Sequence, residues 1–227
     1  AFGLRGEAYE RPRTAPTRGS RRPDPGPDKA GAYRYRPIEA TLFRRYYDRG
    51  DLPVVVEHRA AGNSTRWTRD LYELDYHIYL PIFVDGLRER DDPYRFLAVQ
   101  GTLDMVLVAP EKVLPVIPQI ILPLKAALNT RHPVIICPAL KVLQQMVLQN
   151  PLVGQALVPY YRQLLPVFNL YRARDENLGD GIAYNQRQRT NVAELIRETL
   201  EIMEVHGGPD AFINIKYMIP TYESCML

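Results

Sequence analysis

The sequence predicts a mainly α-helical protein: a short armadillo- or HEAT-like stack of about three helical hairpins, preceded by a small β-hairpin and an extended basic arm. Three observations support this fold class. Apolar residues recur at helical spacing from Leu74 onward. A Leu-Pro dipeptide recurs at intervals of 42 and 43 residues, close to the roughly 40 to 47 residues of an armadillo or HEAT unit. The first 37 residues differ sharply in composition, with eight arginines, six prolines and five glycines.

Residues 1–37 form the predicted arm, and residues 38–227 a single helical-repeat domain. The arm holds nine Lys or Arg against four Asp or Glu, whereas the other 190 residues hold 20 and 22. The molecule is therefore a nearly neutral body with a basic tail. Because the arm has few aliphatic residues to bury, we expect it to be extended or disordered when free.

The body begins with two short elements. A short helix is predicted from Thr41, with its end near Gly50 and a stop at Pro53. Two β-prone runs then flank the turn-rich segment R-A-A-G-N, which predicts a β-hairpin over residues 54–68. We assign Trp67, the only tryptophan, a structural role in this hairpin.

Helical periodicity dominates the rest of the body. The predicted helical segments are 74–88, 93–109, 112–129, 133–149, 152–171 and 190–206. The last is the clearest, because one stripe of residues is apolar or small: Val192, Leu195, Ile196, Thr199, Leu200 and Met203. Asn191 with Glu194 predicts its start, and Gly207-Gly208-Pro209 its stop.

Three of the prolines inside these segments follow a leucine at the regular spacing: Pro81, Pro123 and Pro166. A proline inside a helix removes one backbone hydrogen bond and costs about 3 kcal/mol. Their regular spacing predicts that they bend the first helix of each hairpin around its neighbour, with core contacts compensating for the lost bond. A chance coincidence in a proline-rich chain is the alternative.

Two further segments are candidates for partner contacts. The break at 172–189 is long for a compact domain, which is typical of functional or disordered loops. It carries Arg172, Arg174, Asp175 and Glu176. The C-terminal tail, residues 210–227, is apolar and includes Tyr222. Its alternating pattern over 212–218 predicts a strand or extended cover docked on the body.

The sequence shows no pattern typical of catalysis or of a bound metal or cofactor. Its four histidines lack the spacing of a helical metal pair, and the two glycine-rich spots match no nucleotide-binding motif. Asp175, Asn177 and Asp180 faintly resemble a calcium loop but lack its full ligand set. Cys137, in an apolar run, is expected to be a buried reduced thiol. We expect no membrane span and a soluble intracellular protein.

The arginine-rich arm implies an acidic partner. Its arginines on a proline-stiffened backbone suit an acidic groove or surface: Arg11, Arg13, Arg18, Arg21 and Arg22. An acidic protein polymer, DNA and RNA all fit this charge, and a merely solubilising tail is the alternative. The slightly acidic body, without interleaved basic and aromatic residues, disfavours nucleic acid.

Several long runs closely resemble the parkin co-regulated gene protein family. They are F-R-R-Y-Y-D-R-G-D-L-P at 43–53, L-D-Y-H-I-Y-L-P-I-F-V-D-G-L at 74–87, A-L-V-P-Y-Y-R-Q-L-L-P-V-F-N at 156–169, G-D-G-I-A-Y-N-Q at 179–186 and A-F-I-N-I-K-Y-M-I-P-T-Y-E-S-C at 211–225. The resemblance extends from about Tyr35 to the C-terminus. It does not include the part of the arm before Tyr33, and the turn L-V-A-P-E at 107–111 departs from the family's polar, glycine-containing turn.

The resemblance implies a structural protein of cilia and flagella, located at the inner junction of axonemal doublet microtubules. It implies binding to α/β-tubulin, a small β-sandwich cilia-and-flagella-associated partner that helps link the B-tubule to the A-tubule, and association with chaperones. From it we expect a non-enzymatic protein of the cytoplasm and the axonemal cytoskeleton. A cytosolic helical-repeat adaptor, for example a chaperone-associated scaffold, is the alternative, and an RNA-binding protein is a weaker one.

Overall fold

The fold is mainly α-helical, as predicted. A computed structural model describes residues 31–59, 62–172 and 191–226. The helices are α1 Leu42–Asp48, α2 Tyr76–Asp85, α3 Tyr94–Val108, α4 Ile117–Asn129, α5 Pro133–Gln149, α6 Pro151–Leu157, α7 Tyr161–Tyr171, α8 Val192–His206 and α9 Ala211–Met218; the strands are β1 Val54–Arg59 and β2 Gly62–Trp67. Short 3-10 turns lie at Gly86–Arg88, Pro110–Lys112, Leu114–Val116 and Val158–Tyr160.

The larger helices pack in two rows. In the first row α2 packs against α4 and α4 against α7, and in the second α3 packs against α5 and α5 against α8. Across the rows, α2 contacts α3, α4 contacts α5, and α7 contacts α8. This is the packing order expected of three stacked helical hairpins. The assignment to the armadillo or HEAT class stays a prediction.

Two buried tyrosines join the rows at corresponding places. The Tyr76 hydroxyl of α2 donates to the carbonyl of Met105 in α3 at 2.7 Å. The Tyr161 hydroxyl of α7 donates to the carbonyl of Met203 in α8 at 3.1 Å. Each bond satisfies a hydroxyl that would otherwise be buried without a partner, so the apolar core between the rows tolerates it.

The three regularly spaced prolines all lie inside helices of the first row: Pro81 in α2, Pro123 in α4 and Pro166 in α7. None of them is fully buried. The residues four positions earlier, whose carbonyls lose their α-helical donor, are all exposed: His77, Gln119 and Arg162. Water can reach this side of each helix, which lowers the cost of the missing bond. The predicted bend itself stays a prediction.

The β-hairpin is confirmed, and one carboxylate attaches it to α3. Strands β1 and β2 are antiparallel, with Val54 opposite Trp67. One oxygen of Asp104, in α3, accepts from Thr65 at 2.7 Å and from the Trp67 indole N–H at 3.0 Å. The Trp67 ring also lies 5.5 Å from the ring of Phe83. Trp67 thus packs the hairpin onto the helices.

Predictions for helices α1 and α8 are also confirmed. Helix α1 begins after Thr41, whose hydroxyl accepts from the Arg44 N–H at 3.1 Å, and Gly50 has a φ of 78° just beyond its end. In α8, all six residues of the predicted stripe are buried, and Asn191 caps the helix by accepting from the Ala193 N–H.

Three sequence predictions are corrected. Residues 211–218 form helix α9, not a strand or extended cover, because its two buried residues, Ala211 and Ile215, are four positions apart and lie on one helical face. The predicted helix 152–171 is divided at Val158–Tyr160, where Pro159 lies. The predicted helix 112–129 begins instead with 3-10 turns, and its regular α-helix starts at Ile117.

Candidate partner-binding end of the helical body

The described chain begins by crossing one end of the helical body. The Tyr33 hydroxyl donates to the carbonyl of Leu170 in α7 at 3.2 Å. The Tyr33 ring contacts the Tyr171 ring edge to face, with 5.6 Å between centroids. Residues from Tyr33 onward belong to the same compact unit as the helices. The chain therefore enters the body beside the C-terminal end of α7.

The next residues lie over the turn between α4 and α5. The Tyr35 ring stacks on His132 with 4.3 Å between centroids, and the Arg36 N–H donates to the carbonyl of Thr130 at 3.0 Å. In the same turn, the carbonyl of Arg131 accepts from the Tyr171 hydroxyl of α7 at 3.0 Å. Residues 33–36 are thus held by backbone and ring contacts, although the sequence placed them in the arm.

The C-terminal tail reaches the same place. Arg172 follows α7 and is the last described residue before 173–190. Its guanidinium donates to the Thr221 hydroxyl at 2.8 Å and lies 5.6 Å from the centre of the Tyr222 ring. Residues 33–36, Arg172 and Thr221 with Tyr222 are far apart in sequence, yet all of them lie at the end of α7.

This end of the body is rich in arginine, and we call it the basic end: Arg34, Arg36, Arg90, Arg131 and Arg172. Arg34, Arg36 and Arg90 are exposed, and the other two are half-buried. Arg131 lies two residues beyond the C-terminal end of α4 and Arg172 directly follows α7, where positive charge is favoured by the helix dipole. Acidic residues also lie here: Arg44 contacts Asp91 at 2.6 Å and Glu89 at 2.9 Å, and Glu39 lines the same pocket as Arg90.

The histidine within the basic end is held neutral. Burial, with a smaller contribution from the positive charge of Arg90, lowers the pKa of His132. Both effects disfavour the imidazolium. The neutral ring can therefore stack on Tyr35 without adding charge, and the positive potential here comes from arginine.

A buried carboxylate fastens the C-terminal tail. Glu204 of α8 is only 4% exposed. It accepts from the Tyr222 hydroxyl at 2.7 Å, from the Cys225 N–H at 3.1 Å and thiol at 3.2 Å, and from the Ser224 hydroxyl. Burial alone would raise the pKa of Glu204, but these hydrogen bonds outweigh it and lower the pKa. The ionised carboxylate is the form that holds the tail.

A family model described as Parkin co-regulated protein matches residues 41–224, which is more than half of the chain. The chain belongs to the Parkin co-regulated protein family. A Mus musculus protein named Parkin coregulated gene protein homolog is 54% identical over 202 residues, which make up 89% of this chain and 84% of the mouse protein. The resemblance carried by the sequence motifs is therefore confirmed. Of the basic end, Arg90, Arg131 and Arg172 lie inside the family match, and Arg34 and Arg36 precede it.

The residues that the sequence predicts to bind a partner do not all lie together in this family member. The following lie outside the described residues: Arg11, Arg13, Arg18, Arg21, Arg22, Arg174, Asp175 and Glu176. Arg172 is in the basic end. Tyr222 is 3% exposed, with its hydroxyl bound to Glu204. The prediction of a partner contact through the Tyr222 side chain is therefore corrected: that ring fastens the tail.

Sequence reasoning missed two carboxylates that organise this family member, Asp104 and Glu204. Both are acidic residues in helices, which a sequence reading normally places in solvent. For Glu204 a signal was available, because it follows the buried Leu200 by four positions and so continues the apolar stripe of α8. For Asp104 no signal exists in α3 alone, since its partners Thr65 and Trp67 lie nearly 40 residues earlier.

Other kinds of site find little support in the described parts of the chain. Within them, no group of three or more His, Cys, Asp or Glu side chains could hold a metal ion. A shallow groove of about 300 Å³ lies between α3 and α5, lined partly by Phe96, Val99 and Val134. No single described helix has the length and apolar character to cross a membrane; α3 with Pro110–Asn129 meets the requirement only as a pair bent by 104°.

Proposed function

We propose that this chain is a non-enzymatic structural protein of ciliary and flagellar axonemes. It binds α/β-tubulin of doublet microtubules at the inner junction and links the B-tubule to the A-tubule with a small β-sandwich cilia-and-flagella-associated partner. Membership of the Parkin co-regulated protein family supports this role, because it is the role that resemblance to the family implies. The cytoskeletal compartment, the axoneme and chaperone association are parts of the same proposal.

The structural observation that carries the proposal is the convergence at the basic end. Five arginines lie at this end, two of which, Arg34 and Arg36, already count toward the +5 charge of residues 1–37, and residues 38–227 are slightly acidic. Guanidinium groups form paired hydrogen bonds with carboxylates, so this end suits a carboxylate-rich protein surface. Such attraction is screened beyond about 8–10 Å at physiological salt, so it acts through close contacts.

The role does not require tight binding by one copy. Repeated subunits along a doublet would each make several weak contacts, to tubulin and to neighbouring junction proteins. Linked contacts raise the overall affinity far above that of any single one. A rigid two-row helical body suits a spacer in such a lattice, because its outer surfaces keep a constant separation.

Co-sedimentation of the full chain with stabilised microtubules tests tubulin binding. We expect the variant Arg34→Glu/Arg36→Glu/Arg90→Glu to bind at least tenfold more weakly than wild type at low salt, with a smaller difference as salt is raised. The matched control changes three exposed arginines elsewhere: Arg45, Arg66 and Arg69 to Glu. Equal losses in both variants, or none in the first, would contradict binding through the basic end.

Retention in axonemes tests the lattice role. We expect the protein to remain in purified axonemes after detergent extraction and a high-salt wash, and to leave only when the doublets are dissociated. Complete release into the detergent-soluble fraction would instead support the cytosolic adaptor. Removing residues 1–32 separately measures what the arm contributes to microtubule binding at low salt.

A further inference from the structure

The β-hairpin has outer strand edges, and one of them lies beside a groove. In the described parts of the chain, β1 and β2 pair only with each other. The outer edge of a sheet carries backbone N–H and C=O groups that no neighbouring strand satisfies. We call the outer side of β2, Gly62–Trp67, the β2 edge.

The register of the hairpin decides which backbone groups point outward. The Thr68 N–H donates to the carbonyl of Pro53 at 2.9 Å, so these two residues form a hydrogen-bonded pair. Because hydrogen-bonded and non-hydrogen-bonded pairs alternate along an antiparallel ladder, His58 and Asn63 form a non-hydrogen-bonded pair. Their side chains agree with this, since the His58 ring nitrogen lies 2.8 Å from the Asn63 amide oxygen. The backbone groups of Asn63 and Thr65 therefore point away from β1.

These outward groups are free to pair with another chain. Within the described ranges, Asn63 and Thr65 use their side chains, which bond to His58 and Asp104. No described backbone bond reaches the outward N–H and C=O groups of either residue. An extended backbone matches such groups, because its own N–H and C=O groups point to the same side at every second residue. The β2 edge therefore specifies the conformation of what would bind it.

A groove of about 300 Å³ lies against this edge. Its lining comes from β2, α3 and α5, and includes Asn63, Phe96, Val99, Gln100, Val134 and Pro138. No described residue of β1 lines it, which distinguishes the β2 edge from the β1 edge. Since Asn63 belongs to both the β2 edge and the groove, a strand paired with Asn63 would lie beside the groove. Every second side chain of that strand would point toward the helices.

The groove favours apolar side chains over charged ones. Its two remaining lining residues, Asp92 and Arg95, form an ion pair with each other at 3.0 Å. The nearby carboxylate of Asp104 already accepts from three side-chain donors. Arg66 is exposed, but it alternates with Asn63 and Thr65 along β2, so its side chain belongs to the opposite face of the hairpin. The apolar lining therefore decides what fits.

We propose that the β2 edge and its groove bind an extended segment of a partner protein. The segment pairs as a third strand with the backbone of Asn63 and Thr65, and its alternate apolar side chains enter the groove between α3 and α5. Main-chain hydrogen bonds supply affinity in this mode of recognition, and the groove selects the sequence. A third strand also stabilises a two-stranded hairpin. The inference goes beyond the proposed function and does not depend on it, because no residue of the basic end lines this groove.

Selection from a phage-displayed library of random linear peptides tests the inference on the full chain. We expect wild type to enrich peptides with apolar residues at every second position. One enriched peptide, synthesised with a fluorescent label, is then titrated by anisotropy. In amide exchange followed by NMR, the peptide should slow exchange of the outward N–H groups of Asn63 and Thr65. The N–H groups of Ser64 and Arg66, which point toward β1, should exchange slowly without it.

Two pairs of variants separate this site from other surfaces. Asn63→Pro removes an outward N–H from the β2 edge, and His58→Pro removes one from the β1 edge. Both variants lose the same side-chain bond between these two residues, so they are matched. Val134→Glu places a charge in the groove, and Leu148→Glu is its control at similar exposure elsewhere on α5, 44% against 45%. The fluorescence of Trp67 verifies that the hairpin stays attached in each variant.

We expect Asn63→Pro and Val134→Glu to bind the labelled peptide about tenfold more weakly than wild type, and both controls to bind within about twofold. Equal binding by Asn63→Pro and His58→Pro would overturn the inference, and so would a library that enriches no peptide. Sedimentation of wild type tests another occupant. A dimer that Asn63→Pro converts to monomer would also overturn the inference, since a second copy would then occupy the edge.

Discussion

Replacing Glu204 by Gln tests how the C-terminal tail is held. The carboxylate accepts from four donors, those of Tyr222, Ser224 and the Cys225 N–H and thiol. An amide of the same size keeps one acceptor oxygen but turns an NH₂ group toward those donors. The backbone N–H of Cys225 can only donate, so it cannot pair with the new NH₂ group. At least one buried donor therefore loses its acceptor, or exchanges a charged acceptor for a neutral one.

The magnitude follows from the change in hydrogen-bond type. A hydrogen bond to a charged group contributes about 1.5–3 kcal/mol, and a neutral one about 0.5–1.5 kcal/mol. The energies lost from several bonds that share one acceptor do not simply add. We therefore expect a loss of about 2–4 kcal/mol in the free energy of tail attachment. At about 1.4 kcal/mol for each factor of ten, this raises the population of detached tail by about 30-fold or more.

Hydrogen–deuterium exchange of residues 219–226 measures that population. We expect faster exchange there in Glu204→Gln, with the first row of helices unchanged. The matched control is Glu201→Gln, which makes the same chemical change at an exposed position of the same helix. If tail exchange in Glu204→Gln is indistinguishable from that in Glu201→Gln, the carboxylate does not hold the tail and the reasoning is refuted.

The same contact predicts acid sensitivity. Because the folded pKa of Glu204 is lowered from its ordinary value of 4.5, its stabilisation is present above the unfolded pKa. It is lost as the pH falls through the folded pKa. After correction for intrinsic exchange rates, wild-type tail protection should therefore fall below about pH 4.5. In Glu204→Gln this pH dependence should disappear.

Three further variants test the packing of the body. Gly101→Ala should lower the free energy of unfolding by about 1–3 kcal/mol, since a Cβ there would lie 2.3 Å from the Phe83 ring; an unchanged denaturant midpoint would contradict this clash. Asp104→Ala should release the hairpin and shift the fluorescence of Trp67 to longer wavelength, and an unshifted spectrum would show that the hairpin is held otherwise. Thr41→Ala should lower the free energy of unfolding by about 1 kcal/mol or more, because the hydroxyl both caps α1 and donates to the buried Glu89; a melting temperature equal to wild type would show that neither bond stabilises the fold.

Local patterns predicted most individual elements correctly. The stripe of α8, the start of α1 at Thr41 and the hairpin ending at Trp67 each depend on residues close in sequence, and each is confirmed. The wrong prediction of a strand or extended cover at 211–218 also came from a local pattern. A short apolar segment satisfies both strand and helix periodicity, and only the packing of Ala211 and Ile215 against the body selects the helix.

The candidate site was predicted only in part. Excess arginine in the arm, and Arg172 at the edge of the long loop, indicated a basic partner-binding region. That Tyr33, Arg172 and Thr221 meet at one end of the body could not be predicted, because the contacts span 137 and 49 residues. Tyr222 was misassigned for a similar reason: its acceptor is a glutamate on another helix, and a tyrosine in a tail resembles an interface residue until that partner is known.

The amino-acid sequence by itself determined the helical class, the family and the charge division between arm and body, because composition, periodicity and long motifs are properties of the chain alone. Only the tertiary structure decided which faces are buried and which segments converge. It put the prolines on the solvent side of one row and buried Glu204 under the tail. Burial and contact across many residues depend on how all the helices pack at once, and no short stretch of sequence carries that information.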